Sequence, residues 1–205
     1  MGTGQAFRTA FWLLFGLLLL MRVYFLLRVR QAGARLLPDQ AAIEREGRVA
    51  FAARFAAFFV LIAILVLYTI NHPWMATLSI PLPPRLRWAG FALGLLSLAF
   101  WAWTQAALGT HWSAQLQLRE GHHLVTTGPY ARVRHPLYTG MIGWAVGVAL
   151  VTANWVFVVF SALSLVGLAV RVPREEQMML DEFGDEYRAY MGRTGRFVPK
   201  SRDTP

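Results

Sequence analysis

Four long apolar runs divide the chain, and their lengths predict helices that cross a membrane. A helix needs about 20 mostly apolar residues to span the hydrocarbon core of a bilayer. Three of the runs each fit one crossing and lie at 9–27, 55–70 and 88–108. The fourth, 135–170, has no Asp, Glu, Lys or Arg and is too long for one crossing. Because Thr152, Ala153 and Asn154 interrupt it near its centre, we predict two crossings joined as a helical hairpin.

A charged amphipathic helix is predicted after the last crossing, at 174–191. Met179, Phe183 and Tyr187 recur at spacings of four and therefore share one face. Pro173 suits the first turn of such a helix, where its missing N–H has no partner to lose. The fold class is thus all-α: a polytopic integral membrane protein with five transmembrane helices, the last two as a hairpin, and a cytoplasmic C-terminal amphipathic helix.

Composition agrees with a membrane protein. The chain is 56% hydrophobic and 15% charged, whereas soluble domains have roughly 25% charged residues. There is no cysteine, which excludes disulfides, thiolate metal ligands and cysteine nucleophiles. We treat 1–205 as a single membrane domain, with three N-terminal transmembrane helices in 1–108 and a cofactor-binding region in 109–205.

Basic residues are distributed unevenly between the two sides of the predicted membrane. Five crossings place segments 28–54, 109–135 and 171–205 on one side, and these hold 16 of the 20 Lys and Arg residues. Cytoplasmic loops are enriched in Lys and Arg, so this side is predicted to face the cytoplasm. The same bias accounts for the net charge of +9, and no nucleic-acid partner is predicted.

The stretch GHHLVTTGPYARVRHPLYTG, at 121–140, concentrates polar chemistry directly before the uncharged run. Pro136 can open a helix, and the residue before a proline is pushed into an extended conformation. Arg134 and His135 are therefore expected at the mouth of a transmembrane helix. A helix N-terminus offers free N–H groups and partial positive charge, which suits an anionic group of a charged organic cofactor.

Other residues are predicted to converge on the same place. The hairpin returns the segment after the fifth crossing, which contains Arg171, Arg174, Glu175 and Glu176. A GlyPro turn at 128–129 brings the preceding backbone back towards the mouth. There the backbone groups of Leu124 and Val125 could bind an adenine edge, and the rings of Tyr130 and Tyr138 offer flat surfaces for it.

A metal site is the main alternative use of the histidines between His111 and His135. Imidazole is a common metal ligand. However, only His122 and His123 are close in sequence, and the chain has no HxxxH or HxxHH pattern. No metal is predicted.

Two segments resemble the isoprenylcysteine carboxyl methyltransferase family and its phospholipid N-methyltransferase relatives. They are HHLVTTGPYARVRHPLYTG, from His122, and RVPREEQMMLDEFGDEYRAYMGRTGRFVP, from Arg171. The resemblance implies S-adenosyl-L-methionine as the methyl donor, in a cytoplasm-facing pocket covered by the last helix and tail. It also implies a lipophilic small-molecule or lipid substrate that approaches from the membrane lipids.

The motifs also imply roles for individual residues. The cofactor contacts implied are Gln117, His122, Leu124, Val125, Tyr130, His135, Pro136, Tyr138 and Glu175. Gln115 is an alternative to Gln117. Arg171 matches a catalytic arginine placed near the methyl-accepting group, and Arg134 is a second candidate for that role.

The leading hypothesis is carboxyl O-methylation of an isoprenylcysteine-like or related lipid. The alternatives are a phospholipid amine N-methyltransferase, an NADPH-dependent sterol-reductase-like enzyme, and a non-catalytic membrane scaffold. Carboxylate, amine, phenol and thiol acceptors all stay open, as does the oligomeric state. Arginine outnumbers lysine and alanine is frequent, a composition that favours a bacterial inner membrane.

Overall fold

A computed structural model describes residues 3–31, 47–108 and 124–200, and it is almost entirely helical in these ranges. The helices are α1 (Thr3–Gln31), α2 (Arg48–Thr69), α3 (Pro73–Thr77), α4 (Pro84–Leu108), α5 (Pro136–Thr152) and α6 (Trp155–Arg193). A short 3-10 turn spans Gly128–Ala131. No sheet forms within the described ranges, so the all-α prediction is confirmed.

Four of these helices, α1, α2, α4 and α6, are long and apolar enough to cross a membrane. Helix α5 is also apolar but has only 17 residues, at the lower limit of about 17–25 for a crossing. The large apolar side chains exposed on α2 and α6, among them Phe58, Phe59, Leu163 and Val166, suit contact with lipid. The chain is an integral, multi-pass membrane protein.

The predicted hairpin is confirmed between α5 and α6. Ala153 turns the chain in the left-handed region, at φ 48° and ψ 51°. The Asn154 side chain then caps α6 by accepting the N–H of Val156 at 3.0 Å. Its Nδ2 also donates to the carbonyl of Met75 at 2.6 Å, which fastens the hairpin to α3.

Glycines bring α4 and α5 into backbone contact. A Cβ on Gly147 would lie 2.7 Å from the Gly90 oxygen and 2.8 Å from the Gly94 nitrogen. Paired small residues of this kind let helices approach closely in lipid. The seam fixes α5, and with it the N-terminal end of that helix.

The C-terminal helix differs from the prediction in where it begins. Helix α6 continues from the fifth crossing through Pro173 and does not start anew there. A proline removes one backbone donor, and neighbouring groups can compensate at the edge of a membrane span. The helical path instead breaks at Gly184, whose φ of 50° and ψ of −120° are not helical.

Candidate functional site

The mouth of α5, formed by His135 and Pro136, lies at the end of the bundle opposite the hairpin. Pro136 is the first residue of the helix and is buried, as the sequence predicted. His135 precedes it at φ −121° and ψ 57°, without a side-chain cap on the helix. The imidazole is therefore free to turn towards α6.

Helix α6 delivers Glu175 to this mouth. One carboxylate oxygen of Glu175 accepts the Tyr138 hydroxyl at 2.6 Å and Nε of Arg171 at 2.8 Å. The other oxygen lies 3.7 Å from Nδ1 of His135. The hairpin thus joins the two sequence segments, as predicted.

Glu176 projects from the same helix into a second, more buried position, and its side chain is only 5% exposed. It accepts Nε of Arg134 at 3.0 Å and Nε of Arg196 at 3.2 Å. Nε2 of His135 lies 3.3 Å from the same carboxylate. The His135 ring therefore bridges the two glutamates, with one nitrogen facing each.

A tail segment, residues 194–197, covers the mouth. Its backbone pairs with the RHP stretch: the Arg134 N–H donates to Gly195 and the His135 N–H to Arg196, at 2.9 and 3.0 Å. The Arg134 guanidinium also donates to the carbonyls of Met191 and Thr194. The tail is thereby bound to the helix mouth through both backbone and side chain.

Burial favours the neutral form of the His135 imidazole. Burial lowers the pKa of its imidazole below the usual range, while the carboxylates of Glu175 and Glu176 act in the opposite direction. The ring stacks on Tyr138, with centroids 5.6 Å apart and planes at 16°. A neutral imidazole donates from one nitrogen only, so it can hold one carboxylate firmly at a time.

Tyr130 anchors the 3-10 turn beside the mouth. Its backbone carbonyl accepts the buried Tyr190 hydroxyl at 2.7 Å, and burial raises the pKa of the Tyr130 phenol. Leu124 and Val125 are half-buried in the irregular segment before this turn. The turn packs against the end of α4, since a Cβ on Gly128 would lie 3.5 Å from that of Ala107.

The structure brings four of the predicted site residues into direct contact, namely His135, Tyr138, Arg171 and Glu175. Arg134 is joined to them through Glu176. Gln117 and His122, together with the alternative Gln115, lie outside the described residues. The cofactor-binding and catalytic roles of the whole set stay predictions. Among the described residues, no group of three or more His, Cys, Asp or Glu has the geometry to hold a metal.

The sequence placed Glu176 in the segment that returns to the mouth but assigned it no binding or catalytic role, and it did not indicate Arg196 or Tyr190. The EE pair was a usable signal, because adjacent helical residues point about 100° apart and only one can face Arg171. The roles of Arg196 and Tyr190 depend on the path of the tail after Gly184, which no local pattern specifies.

Comparisons with known proteins confirm the resemblance. The profile of the isoprenylcysteine carboxyl methyltransferase (ICMT) family matches residues 90–181. The protein-S-isoprenylcysteine O-methyltransferase of Schizosaccharomyces pombe is 33% identical over 53% of this chain and 48% of its own length. YpbQ of Bacillus subtilis, an uncharacterized protein, is 26% identical over 84% of this chain and 98% of its own.

The fold also resembles a solved structure, that of the eukaryotic intramembrane Ras methyltransferase ICMT. The TM-score is 0.52 at 24% identity, over 74% of this chain and 51% of that one. The chain spans about half the length of the curated methyltransferases that it matches. The region that matches the family profile, residues 90–181, contains α5, its mouth, Glu175 and Glu176.

Proposed function

From the match of residues 90–181 to the isoprenylcysteine carboxyl methyltransferase family, we propose that the protein is an integral membrane methyltransferase. Its methyl donor is S-adenosyl-L-methionine, and its acceptor is a lipophilic carboxylate, an isoprenylcysteine-like or related lipid. The observation that supports this most is the joining of Arg171, Tyr138 and Glu175 at the mouth of α5, through bonds of 2.6 and 2.8 Å.

The residues at the mouth suit a ligand that has both positive and negative groups. S-adenosyl-L-methionine supplies an electrophilic methyl group on a cationic sulfur, beside an ammonium and a carboxylate. Glu175 offers a carboxylate to the cationic part, and the N-terminus of α5 offers N–H groups to the anionic part. His135 and Tyr138 hold Glu175 in place through the contacts described above.

Methyl transfer to a carboxylate needs orientation more than proton transfer. The acceptor oxygen is already nucleophilic at neutral pH, so a base is not required. Arg171 is the first charged residue of α6 after its apolar stretch ends at residue 170. A guanidinium at this position can orient the acceptor carboxylate. Arg134 is the second candidate for this role, and its Nε and Nη1 already bind Glu176 and two carbonyls.

The remaining cofactor contacts belong to the same proposal. Gln117, His122, Leu124 and Val125 bind the nucleoside part with Tyr130, and Pro136 lines the pocket. Residues 109–205 thus form the cofactor-binding region, and the helices within 1–108 form its membrane scaffold. The mouth faces the cytoplasm of a bacterium, whose inner membrane supplies the acceptor from the lipid phase.

Binding and turnover of the detergent-purified protein test the proposal. S-adenosylhomocysteine should bind in calorimetry, and tritiated donor should label an S-isoprenyl cysteine that has a free carboxylate but not its carboxamide. Alkali should release the label as methanol, because an ester hydrolyses and an N-methyl group does not. Glu175→Gln should abolish labelling, while Glu182→Gln, at an exposed position of α6, should retain it. Binding of NADPH in place of the methyl donor would overturn the proposal.

A further inference from the structure

Gln105 is a fully buried polar side chain that faces the interior of the bundle near the mouth. It is 1% exposed, yet neither its amide nitrogen nor its amide oxygen has a hydrogen-bond partner in the part of the chain that the structure describes. One turn deeper on the same face of α4, Nε1 of Trp101 is also buried and has no hydrogen-bond partner among the described residues. Buried amides are rarely left unpaired, because each then loses its hydration without compensation.

The register of α4 against α5 places Gln105 beside the first turn of α5. Gly147 of α5 packs against Gly94 of α4, and Gly140 packs against Trp101. A Cβ added to Gly140 would lie 3.1 Å from the Trp101 Cβ. Each step along α4 is thus matched by an equal step back along α5. One further turn brings Gln105 level with Pro136, which is itself fully buried.

The first turn of α5 also presents backbone donors at this level. Pro136 has no N–H and the Thr139 N–H donates to His135 at 3.1 Å, which leaves the N–H groups of Leu137 and Tyr138 in the described part of the chain. The first residues of a helix have N–H groups with no partner inside the helix. The 3-10 turn also packs on this end of α4, where Gly128 lies against Ala107, but Ala107 points about 200° away from Gln105 around the helix. Gln105 therefore lies beside the first turn of α5, at the end of the bundle where the mouth is.

The pairing capacity of the amide identifies the group it would bind. An amide side chain offers a donor and an acceptor side by side, and this matches the edge of an adenine ring, with its amino group and ring nitrogen. A carboxylate has only acceptors, so the acceptor substrate would leave the amide oxygen unpaired. The methyl donor contains an adenine, whereas an isoprenylcysteine-like acceptor contains no comparable edge.

We infer that Gln105 is a further cofactor-binding residue, which pairs with the adenine ring of the methyl donor from inside the bundle. This inference rests on the proposed function. It gives α4 a direct part in the cofactor pocket, in addition to its packing against α5.

The inference is tested by measuring calorimetric dissociation constants for S-adenosylhomocysteine and for its analogue without the 6-amino group. Wild type should bind the analogue at least about 10-fold more weakly, the value of one lost hydrogen bond to a buried partner. Gln105→Met, an unbranched apolar replacement of similar length, should bind both ligands with equal, reduced affinity. Trp144→Phe is the matched control, because it removes another buried donor without a partner in the described ranges, eight residues from Pro136. It should leave both constants unchanged.

Thermal stability without ligand separates binding from folding. Gln105→Met should melt at the same temperature as wild type or higher, because it removes an unpaired buried amide. A lower melting temperature with unchanged affinity would overturn the inference and give Gln105 a structural role. Unchanged affinity with a raised KM for the acceptor would also overturn it. Failure of the wild type to bind S-adenosylhomocysteine would overturn the proposed function as well, whereas normal binding by Gln105→Met would overturn this inference alone.

Discussion

At the scale of single residues, Glu176 balances the charge of the mouth. Its buried carboxylate accepts from Arg134 and Arg196 and lies against His135. Glu176→Gln would leave the nearly buried Arg134 without a counter-charge. Breaking a buried ion pair costs about 3–5 kcal/mol, so we expect a clear fall in the melting temperature in detergent. The control Glu186→Gln, at an exposed position of the same helix, should melt like wild type; equal melting of the two variants would contradict the prediction.

His135 should make stability depend on pH. Burial lowers the pKa of its imidazole in the folded protein, whereas an unfolded chain protonates near about pH 6.5. The unfolded state then binds more protons below that pH, and this favours unfolding. The contribution of His135 is therefore fully present above about pH 6.5 and is lost as the pH falls through the folded pKa. Melting curves of wild type and His135→Gln should diverge between about pH 7 and pH 5, and parallel curves would refute this.

At the scale of elements, the glycine seam between α4 and α5 is the most sensitive contact. A methyl group on Gly147 would meet backbone atoms of Gly90 and Gly94, which cannot move aside as a side chain can. Gly147→Ala should therefore force the helices apart and destabilise the protein by about 1–3 kcal/mol.

Gly167 provides the control for this substitution. It lies in α6, where an added Cβ would have no described atom of another part of the chain within 4 Å. Gly167→Ala should be neutral or stabilise by up to about 1 kcal/mol, because alanine favours a helix. Chemical denaturation of both variants distinguishes the two effects. Equal stability of the two would mean that the helices can separate without cost.

Sequence patterns predicted the helices better than the connections and contacts between them. The apolar runs and the break at Thr152–Asn154 led to the spans and the hairpin, because both depend on local hydrophobicity and turn chemistry. The uninterrupted passage of α6 through Pro173 could not be predicted, since it depends on packing that compensates a lost donor. The mouth was predicted from RHP and its return segment, but its covering by residues 194–197 arises from pairing between distant segments.

At the scale of the whole molecule, the two ends of the bundle use arginine differently. At the hairpin end, Arg8 donates to the carbonyls of Tyr68 and Thr69, and Arg87 donates to that of Val151. These arginines satisfy the last carbonyls of α2 and α5, which have no intrahelical partner. At the mouth, Arg134, Arg171 and Arg196 bind glutamates, and Arg134 binds two carbonyls as well. One end is thus closed by helix capping, and the charged groups suited to a ligand gather at the other.

The excess of Lys and Arg in the segments at the mouth predicts that this end faces the cytoplasm. The chain has no cysteine, so single introduced cysteines report accessibility without background. Ala76→Cys marks an exposed position at the hairpin end, and Asp185→Cys replaces a side chain that is 95% exposed beyond the mouth. Three crossings, α4, α5 and α6, separate the two positions. In spheroplasts of a bacterial host, a membrane-impermeant maleimide should label Ala76→Cys directly and Asp185→Cys only after permeabilisation. Labelling of both in intact spheroplasts would mean an even number of crossings between them, and α5 would then not span the membrane.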